Sequence, residues 1–275
     1  MEGSVKKHIT LLALFVLGVS THSCDFQQGL SREIIPAEQK YFVECYLKPG
    51  ALYNLTATDV QPIFEDYILD YSLDFEVVII DTDSVILARS LFIDPETGFI
   101  YNYGSPRQLA LDSEKVSLFV VAPNGDTLTA DTEIPSQVVL ESADYHDNII
   151  AATFLPSENS KENFYIAIVN YIKESLDENN EPILVNDFDI QYIELGQANP
   201  SKEFGIYFEN ELFKISPDLQ FTLMRVTEEN FNYQLSLENA KNSSADNITY
   251  PSPLEGNLEN GVGIFTAYTE AVVEF

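Results

Sequence analysis

Residues 255–268 read EGNLENGVGIFTAY, with Gly256, Gly261 and Gly263 inside eight positions. Glycine clusters of this kind cradle phosphates when their backbone N–H groups converge at the start of a helix, usually with a Gly-Lys-Ser/Thr run to reach the anion. No Lys or Arg follows Lys241, and the next residues, IFTAYTEAVVEF, alternate as a strand. The segment is therefore expected to be a turn at Asn260-Gly261. Gly263 would allow a bulge or a close backbone approach before the last strand joins the second sheet.

Histidine chemistry is confined to a single position. Of three histidines, His8 and His22 lie in the N-terminal leader, leaving His146 in SADYHDN between Asp144 and Asp147. One histidine cannot build a multi-histidine zinc site, and a hydrolase triad would have to use this residue. A polar turn is the plainer expectation. The run DENNEPILVNDF puts Asp177, Asn179 and Glu181 at the first, third and fifth places of a calcium loop. The sixth place, which needs glycine, is Pro182, and the twelfth, which needs a carboxylate, is Phe188. What remains is an irregular Ca²⁺ option among Asp177, Glu178, Asp187 and Asp189, or at Asp81 and Asp83, with a solvated acidic loop as the alternative. No carboxylate pair stands out for glycoside hydrolysis among 44 acids, and without Trp only the 15 tyrosines could stack on sugar. No catalytic residue and no cofactor is assigned.

The elements that would position any site begin after residue 40. The opening MEGSVKKHITLLALFVLGVSTHSC has a basic pair, an apolar run from Ile9 to Val19, and small and polar residues before Cys24. It reads as a signal peptide over residues 1–23, too short to span a bilayer. Cys24 resembles the acylated first residue of a bacterial lipoprotein, followed by a tether over 24–40. With Cys24 lipidated, Cys45 in YFVECYL is left without a disulfide partner and is expected to be a small buried apolar residue. Loss of Glu2, Lys6 and Lys7 with the leader moves the formal charge from −30 to about −31. Such acidity argues against nucleic acid and against an electrostatic hold on anionic lipid, and it favours solubility, divalent cations or basic partners.

From Tyr41 short β-branched and aromatic runs alternate with turns such as Lys48-Pro49-Gly50 and Pro123-Asn124-Gly125-Asp126. The pattern predicts an all-β protein. An immunoglobulin- or transthyretin-like sandwich is expected over 41–137, then a second β-rich domain over 138–275 with one short helix near 227–241. The helix rests on Phe231/Leu235 and Tyr233/Leu237 at i, i+4 spacing behind Thr227 as N-cap. Asn124-Gly125 between alternating runs predicts a hairpin.

The order of a lipobox cysteine, an acidic tether, FEVVIIDTDS, APNGDTLTADTEIP, ATFLPSENSKENFYIAIV, LMRVTEENFNYQLSLENA and YPSPLEGNLENGVGIFTAY resembles a family of Bacteroidota outer-membrane lipoproteins. That family is known only as a domain of unknown function. Its signature in this chain is Tyr233, Pro251 and Pro253, then Asn257, Gly261, Gly263, Ile264 and Phe265. The resemblance implies a neighbouring TonB-dependent receptor and supplies no catalytic residues. The expected function is a non-enzymatic accessory subunit of such a receptor or of another outer-membrane barrel, assisting substrate capture or assembly, lipid-anchored and facing the cell surface, with the periplasmic face as the alternative. A free-standing surface module or adhesin for glycan, peptide or metal is the alternative, and a hydrolase a third.

Overall fold

Alternation in YFVECYL becomes a strand with one buried face: Tyr41, Val43, Cys45 and Leu47 point inward, and the residues between them are partly exposed. The computed structural model describes residues 41–60, 73–93, 99–177, 180–245 and 254–275. The expected signal peptide, the tether with Cys24, Glu178, Pro251 and Pro253 lie outside these residues. The first seven strands are β1 (Tyr41–Leu47), β2 (Leu52–Asp59), β3 (Glu76–Ile80), β4 (Ser84–Ile93), β5 (Ile100–Gln108), β6 (Lys115–Val121) and β7 (Thr127–Glu133). The hairpin read at Asn124-Gly125 joins β6 to β7, with Gly125 at φ 89° and its N–H donating 2.8 Å to the Ala122 carbonyl.

Then follow β8 (Val139–His146), β9 (Ile149–Leu155), β10 (Phe164–Leu176), β11 (Pro182–Glu194), β12 (Phe204–Glu209), β13 (Leu219–Val226), the helix α1 (Glu228–Ala245) and β14 (Val262–Glu274). Eleven strands form one sheet in the order β11-β10-β13-β14-β1-β2-β5-β4-β3-β6-β7, and β12-β9-β8 form a second sheet. The protein is all-β with one helix.

The large sheet turns over on itself at β4. Ser84–Leu87 of that strand pair with β3, Ala88–Ile93 pair with β5, and a bulge falls between Arg89 and Phe92. Bulges add twist and bend a strand, so one strand can serve both layers. Val43 and Leu55 on one layer therefore share a core with Val77, Leu118 and Leu128 on the other. A second core lies between β10/β13 and the small sheet, built on Phe154, Tyr165, Val169, Phe208, Phe213 and Phe221.

The final strand joins β13 of the second half, as expected, and it also pairs with β1 of the first, which the sequence did not disclose. β14 pairs antiparallel with β13 over Tyr268–Glu274 and parallel with β1 over Val262–Ala267. Phe265 and Ala267 enter the first core while Ala271 packs on the second. A strand between two neighbours and beneath a helix is buried on both faces, which explains the continuous apolar texture of GIFTA.

α1 covers the outer face where the halves meet. Phe231 packs on Ile166 and Val226, and Gln234 Nε2 donates 3.0 Å to Tyr46 Oη on β1. The expected N-cap is in place, with Thr227 Oγ1 accepting from the Asn230 N–H at 3.2 Å. Between the halves, buried Arg225 grips the linker through the Ser136 and Gln137 carbonyls at 3.0 and 2.9 Å, with Tyr165 Oη 3.1 Å away.

Candidate functional site

The glycine-rich segment proves to be a seam. Residues 257–260 run along the outer margin of β7: Glu259 N–H donates 2.8 Å to the Thr129 carbonyl and Asn260 Nδ2 donates 3.1 Å to the Thr127 carbonyl. Asn257 acts as a substitute strand. Its Nδ2 donates to the Phe265 carbonyl at 2.8 Å and to the Asp131 carbonyl at 3.2 Å, and its Oδ1 accepts the Phe265 N–H at 2.9 Å. Asn260 adopts φ 61°, as a turn at this position requires.

The glycines are set by close approach. A Cβ on Gly256 would stand 1.8 Å from the Gly263 carbonyl oxygen, and one on Gly261 2.3 Å from a Leu128 methyl. Gly263 combines φ 112° with a Cβ position 2.1 Å from the Val43 carbonyl oxygen. Asn257, Gly261, Gly263 and Phe265 thus close the first β-layer pair, and nothing in their geometry offers convergent N–H donors to an anion.

The remaining sequence candidates are dispersed. His146 is the last residue of β8, beside the Asp147-Asn148 turn to β9, 89% exposed, with Nε2 3.0 Å from Asp147 Oδ2, and Asp147 and Asn148 both adopt positive φ. Asp177 closes the β10–β11 turn by accepting the Glu181 N–H at 2.8 Å. Asp187 lies opposite Tyr171, five ladder pairs from the Leu176/Pro182 end of the hairpin, roughly 17 Å at the usual strand rise. Asp177 is thus not brought to Asp187 and Asp189.

Those two aspartates face Tyr171, whose Oη lies 3.2 Å from Asp187 Oδ2 and 3.4 Å from Asp189 Oδ1. Burial and the two carboxylates push the Tyr171 hydroxyl up to about 12. Lys173 forms an ion pair with Asp187 and holds its carboxyl below the ordinary value. Asp189 instead takes neutral donors, Tyr171 and Asn210 Nδ2 at 2.9 Å. Among the described residues, no group of three His, Cys, Asp or Glu side chains could hold a metal ion. Cys45 is a buried free thiol raised above its ordinary pKa by burial, as expected of a small apolar residue.

The sequence reading missed an exposed apolar surface on the β10–β11 hairpin. β10 and β11 each run 13 residues, but β13 accompanies β10 only over Phe164–Tyr171. Beyond that point the hairpin projects as a two-stranded arm. Residues directly opposite share a face, so Ile172/Asn186, Glu174/Leu184 and Leu176/Pro182 continue the outer face of Asn170/Phe188. Leu176 is 62% exposed, Leu184 65% and Phe188 57%. α1 shields the same face further up, at Ile168, Ile190 and Tyr192, and leaves the arm bare.

β11 is also the edge of the eleven-stranded sheet, with β10 its only partner strand among the described residues. The Leu195 N–H donates to the Asn163 carbonyl at 3.0 Å, and the Asp177 N–H to the Glu181 carbonyl at 2.9 Å. Both are directly opposed pairs of the same register. Antiparallel pairs alternate between bonded and non-bonded. The odd residues of β11 therefore bond to β10, and Leu184, Asn186, Phe188, Ile190 and Tyr192 turn their N–H and C=O groups outward. Where β11 passes the edge strand β12, a groove of about 510 Å³ is lined by Gln191, Tyr192, Ile193, Phe204 and Tyr207. Gln191 Nε2 bridges it by donating 2.7 Å to the Tyr207 carbonyl.

The edge strand β11, the exposed apolar hairpin it forms with β10 and the aromatic-lined groove beside β12 adjoin one another in this all-β fold. The family model described as Domain of unknown function (DUF4249) matches residues 28–273. The chain belongs to that family. No curated protein matches it.

Proposed function

We propose that the chain is a non-enzymatic docking protein, an outer-membrane lipoprotein that serves as accessory subunit of a TonB-dependent receptor or another outer-membrane barrel complex. The observation carrying this reading is the β10–β11 arm, whose outer face presents Leu176, Leu184 and Phe188 to solvent. Burying such a patch is worth roughly 25 cal/mol per Å² of apolar surface, and contiguous exposed apolar patches mark protein contacts. Lipid attachment at Cys24 and anchorage at the cell surface belong to the same proposal, supported by the leader and the cysteine that follows it.

The test is affinity purification of the lipidated full chain from detergent-solubilised envelopes. An integral β-barrel protein should co-purify, and recovery should fall at least tenfold with Leu184→Ser/Phe188→Ser. Recovery of the chain alone, or undiminished recovery with the double variant, would count against the reading.

A second reading, a free-standing surface module for glycan, draws on another observation. Tyr46, Phe99, Tyr101 and Phe92 form a chain of rings with centroids 6.1, 6.4 and 5.2 Å apart. Aromatic rows of this kind can stack on sugar faces. Glycan-array binding abolished by Phe99→Ala, with no barrel partner recovered, would favour it.

A further inference from the structure

We infer that β11 is a strand-addition site: it takes an extended segment of the partner along its free edge, and that segment alternates apolar with basic residues. This rests on the docking reading and adds the mode and the chemistry of the contact. Strand addition needs a run of outward main-chain groups, side-chain sites on alternate residues, and no device that blocks the edge. Leu184, Asn186, Phe188, Ile190 and Tyr192 supply the main-chain groups, because the ladder to β10 uses the odd positions.

Natural edges are usually blunted by lysine, proline within the strand, or a bulge. PILVNDFDIQYIE carries no Lys or Arg, its one proline is the first residue, and its register with β10 runs unbroken from Pro182 to Glu194. Among the described residues the edge is left open over a length that the other sheet edges do not match, since β12 is 6 residues, β8 is 8 residues and β7 is sealed by residues 257–260.

Side chains specify the occupant. On the outer face an incoming strand meets Leu184 and Phe188, which calls for apolar residues. On the other face it meets Val185, Asp187 and Asp189. Lys173 answers Asp187, and among the described residues Asp189 has the neutral donors Tyr171 and Asn210 and no ion pair. A Lys or Arg of the incoming strand would supply the missing charge. Opposite-charge cross-strand pairs stabilise a ladder and like charges directly opposed destabilise it.

That rule also weighs against full pairing with a second copy of this chain. Two β11 strands overlapping fully about a twofold axis centred at Phe188 would set Asp187 against Asp189 of the other copy, on chains whose formal charge is already −30. At the upper end the groove beside Phe204 and Tyr207 receives one further side chain, after Gln191 releases the Tyr207 carbonyl.

The experiment follows amide hydrogen exchange in the full chain during titration with an acetylated, amidated nine-residue peptide of alternating valine and lysine. Without peptide, the even amides from Leu184 to Tyr192 should exchange fast and the odd ones slowly. With peptide, the even amides should become protected by at least tenfold. The same peptide N-methylated on alternate residues should bind at least tenfold more weakly, and so should a valine–glutamate peptide.

Asn186→Pro removes one outward N–H and leaves the β10 ladder intact. It should keep the wild-type melting midpoint while losing most peptide affinity. The inference is overturned by even amides already protected in dilute protein, by no protection at saturating peptide, by equal binding of the valine–glutamate peptide, or by dimerisation through this edge. If the barrel partner co-purifies equally with Asn186→Pro, strand addition fails while docking stands. If no partner co-purifies with the unaltered chain, the docking reading fails, and the peptide titration still judges the edge.

Discussion

Two glycines with similar backbone angles separate conformation from crowding. Gly125 adopts φ 89° with no heavy atom within 4 Å of a would-be Cβ, whereas Gly263 adopts φ 112° with the Val43 carbonyl oxygen 2.1 Å away. Gly125→Ala should cost roughly 1–2 kcal/mol, the usual penalty for an L-residue in the left-handed region. Gly263→Ala adds a backbone overlap that can be relieved only by separating β14 from β1. It should exceed about 4 kcal/mol, among the largest single-residue effects. Urea midpoints of the two variants compare them directly, and similar losses would show that crowding at the seam is unimportant.

Glu44 offers a pH-dependent counterpart. Burial between β1 and α1 raises its pKa, partly offset by the Tyr46 hydroxyl that donates at 2.6 Å to its Oε1; Tyr233 of the helix lies near it, Gln234 holds the Tyr46 hydroxyl, and none of the ion pairs among the described residues involves Glu44. A raised folded-state pKa means that protonation favours folding. The contribution is present below the ordinary glutamate range and is lost as pH rises through the folded value. Glu44→Gln should therefore melt higher than the unaltered chain near about pH 7.5, with the gap closing toward about pH 4. A pH-independent gap would show that the carboxylate is not the cause.

At the level of elements, what the sequence disclosed follows from what sets each element locally. β1 was legible because Tyr41, Val43, Cys45 and Leu47 alternate cleanly. The β6–β7 turn was legible because Asn124-Gly125 suits positive φ, and α1 because Thr227 caps a run with Phe231 and Leu235 on one face. Pairing is non-local and was not legible in the same way. That β14 lies parallel to β1 depends on residues more than 200 positions apart. The edge status of β11 was hidden for a related reason. PILVNDFDIQYIE reads like any half-buried strand, and only the sheet order shows that nothing lies beyond Leu184 and Phe188 among the described residues. The one usable signal was the lack of a basic residue in a long apolar strand. The aspartates drew attention as metal ligands, yet the register gives Asp187 to Lys173 and Asp189 to Asn210.

Charge acts on the whole molecule, and it acts on folding and docking with opposite sign. A chain of 44 acids against 14 lysines and arginines repels itself in the folded state more than in the expanded one. Ion pairs such as Lys115–Asp131 at 2.8 Å and Arg107–Asp83 at 3.6 Å lie on the surface, where each is worth little, while Lys48–Glu270 and Lys173–Asp187 are partly buried. Salt shortens the screening length from about 10 Å at 0.1 M to about 3 Å at 1 M. Added NaCl should therefore relieve self-repulsion and raise the melting midpoint, since the stabilising cores are apolar and lose nothing to screening. Association with a basic segment along β11 should weaken over the same range, because the attraction that steers and holds it is screened. Melting curves and peptide titrations at about 0.02, 0.1 and 0.5 M NaCl, spanning the screening range, measure both on one protein. Affinity that holds constant or rises with salt while the midpoint climbs would assign the contact to apolar burial alone and remove the basic component of the proposed partner. A midpoint insensitive to salt would show that the acidic surface is neutralised locally and does not act as a single field.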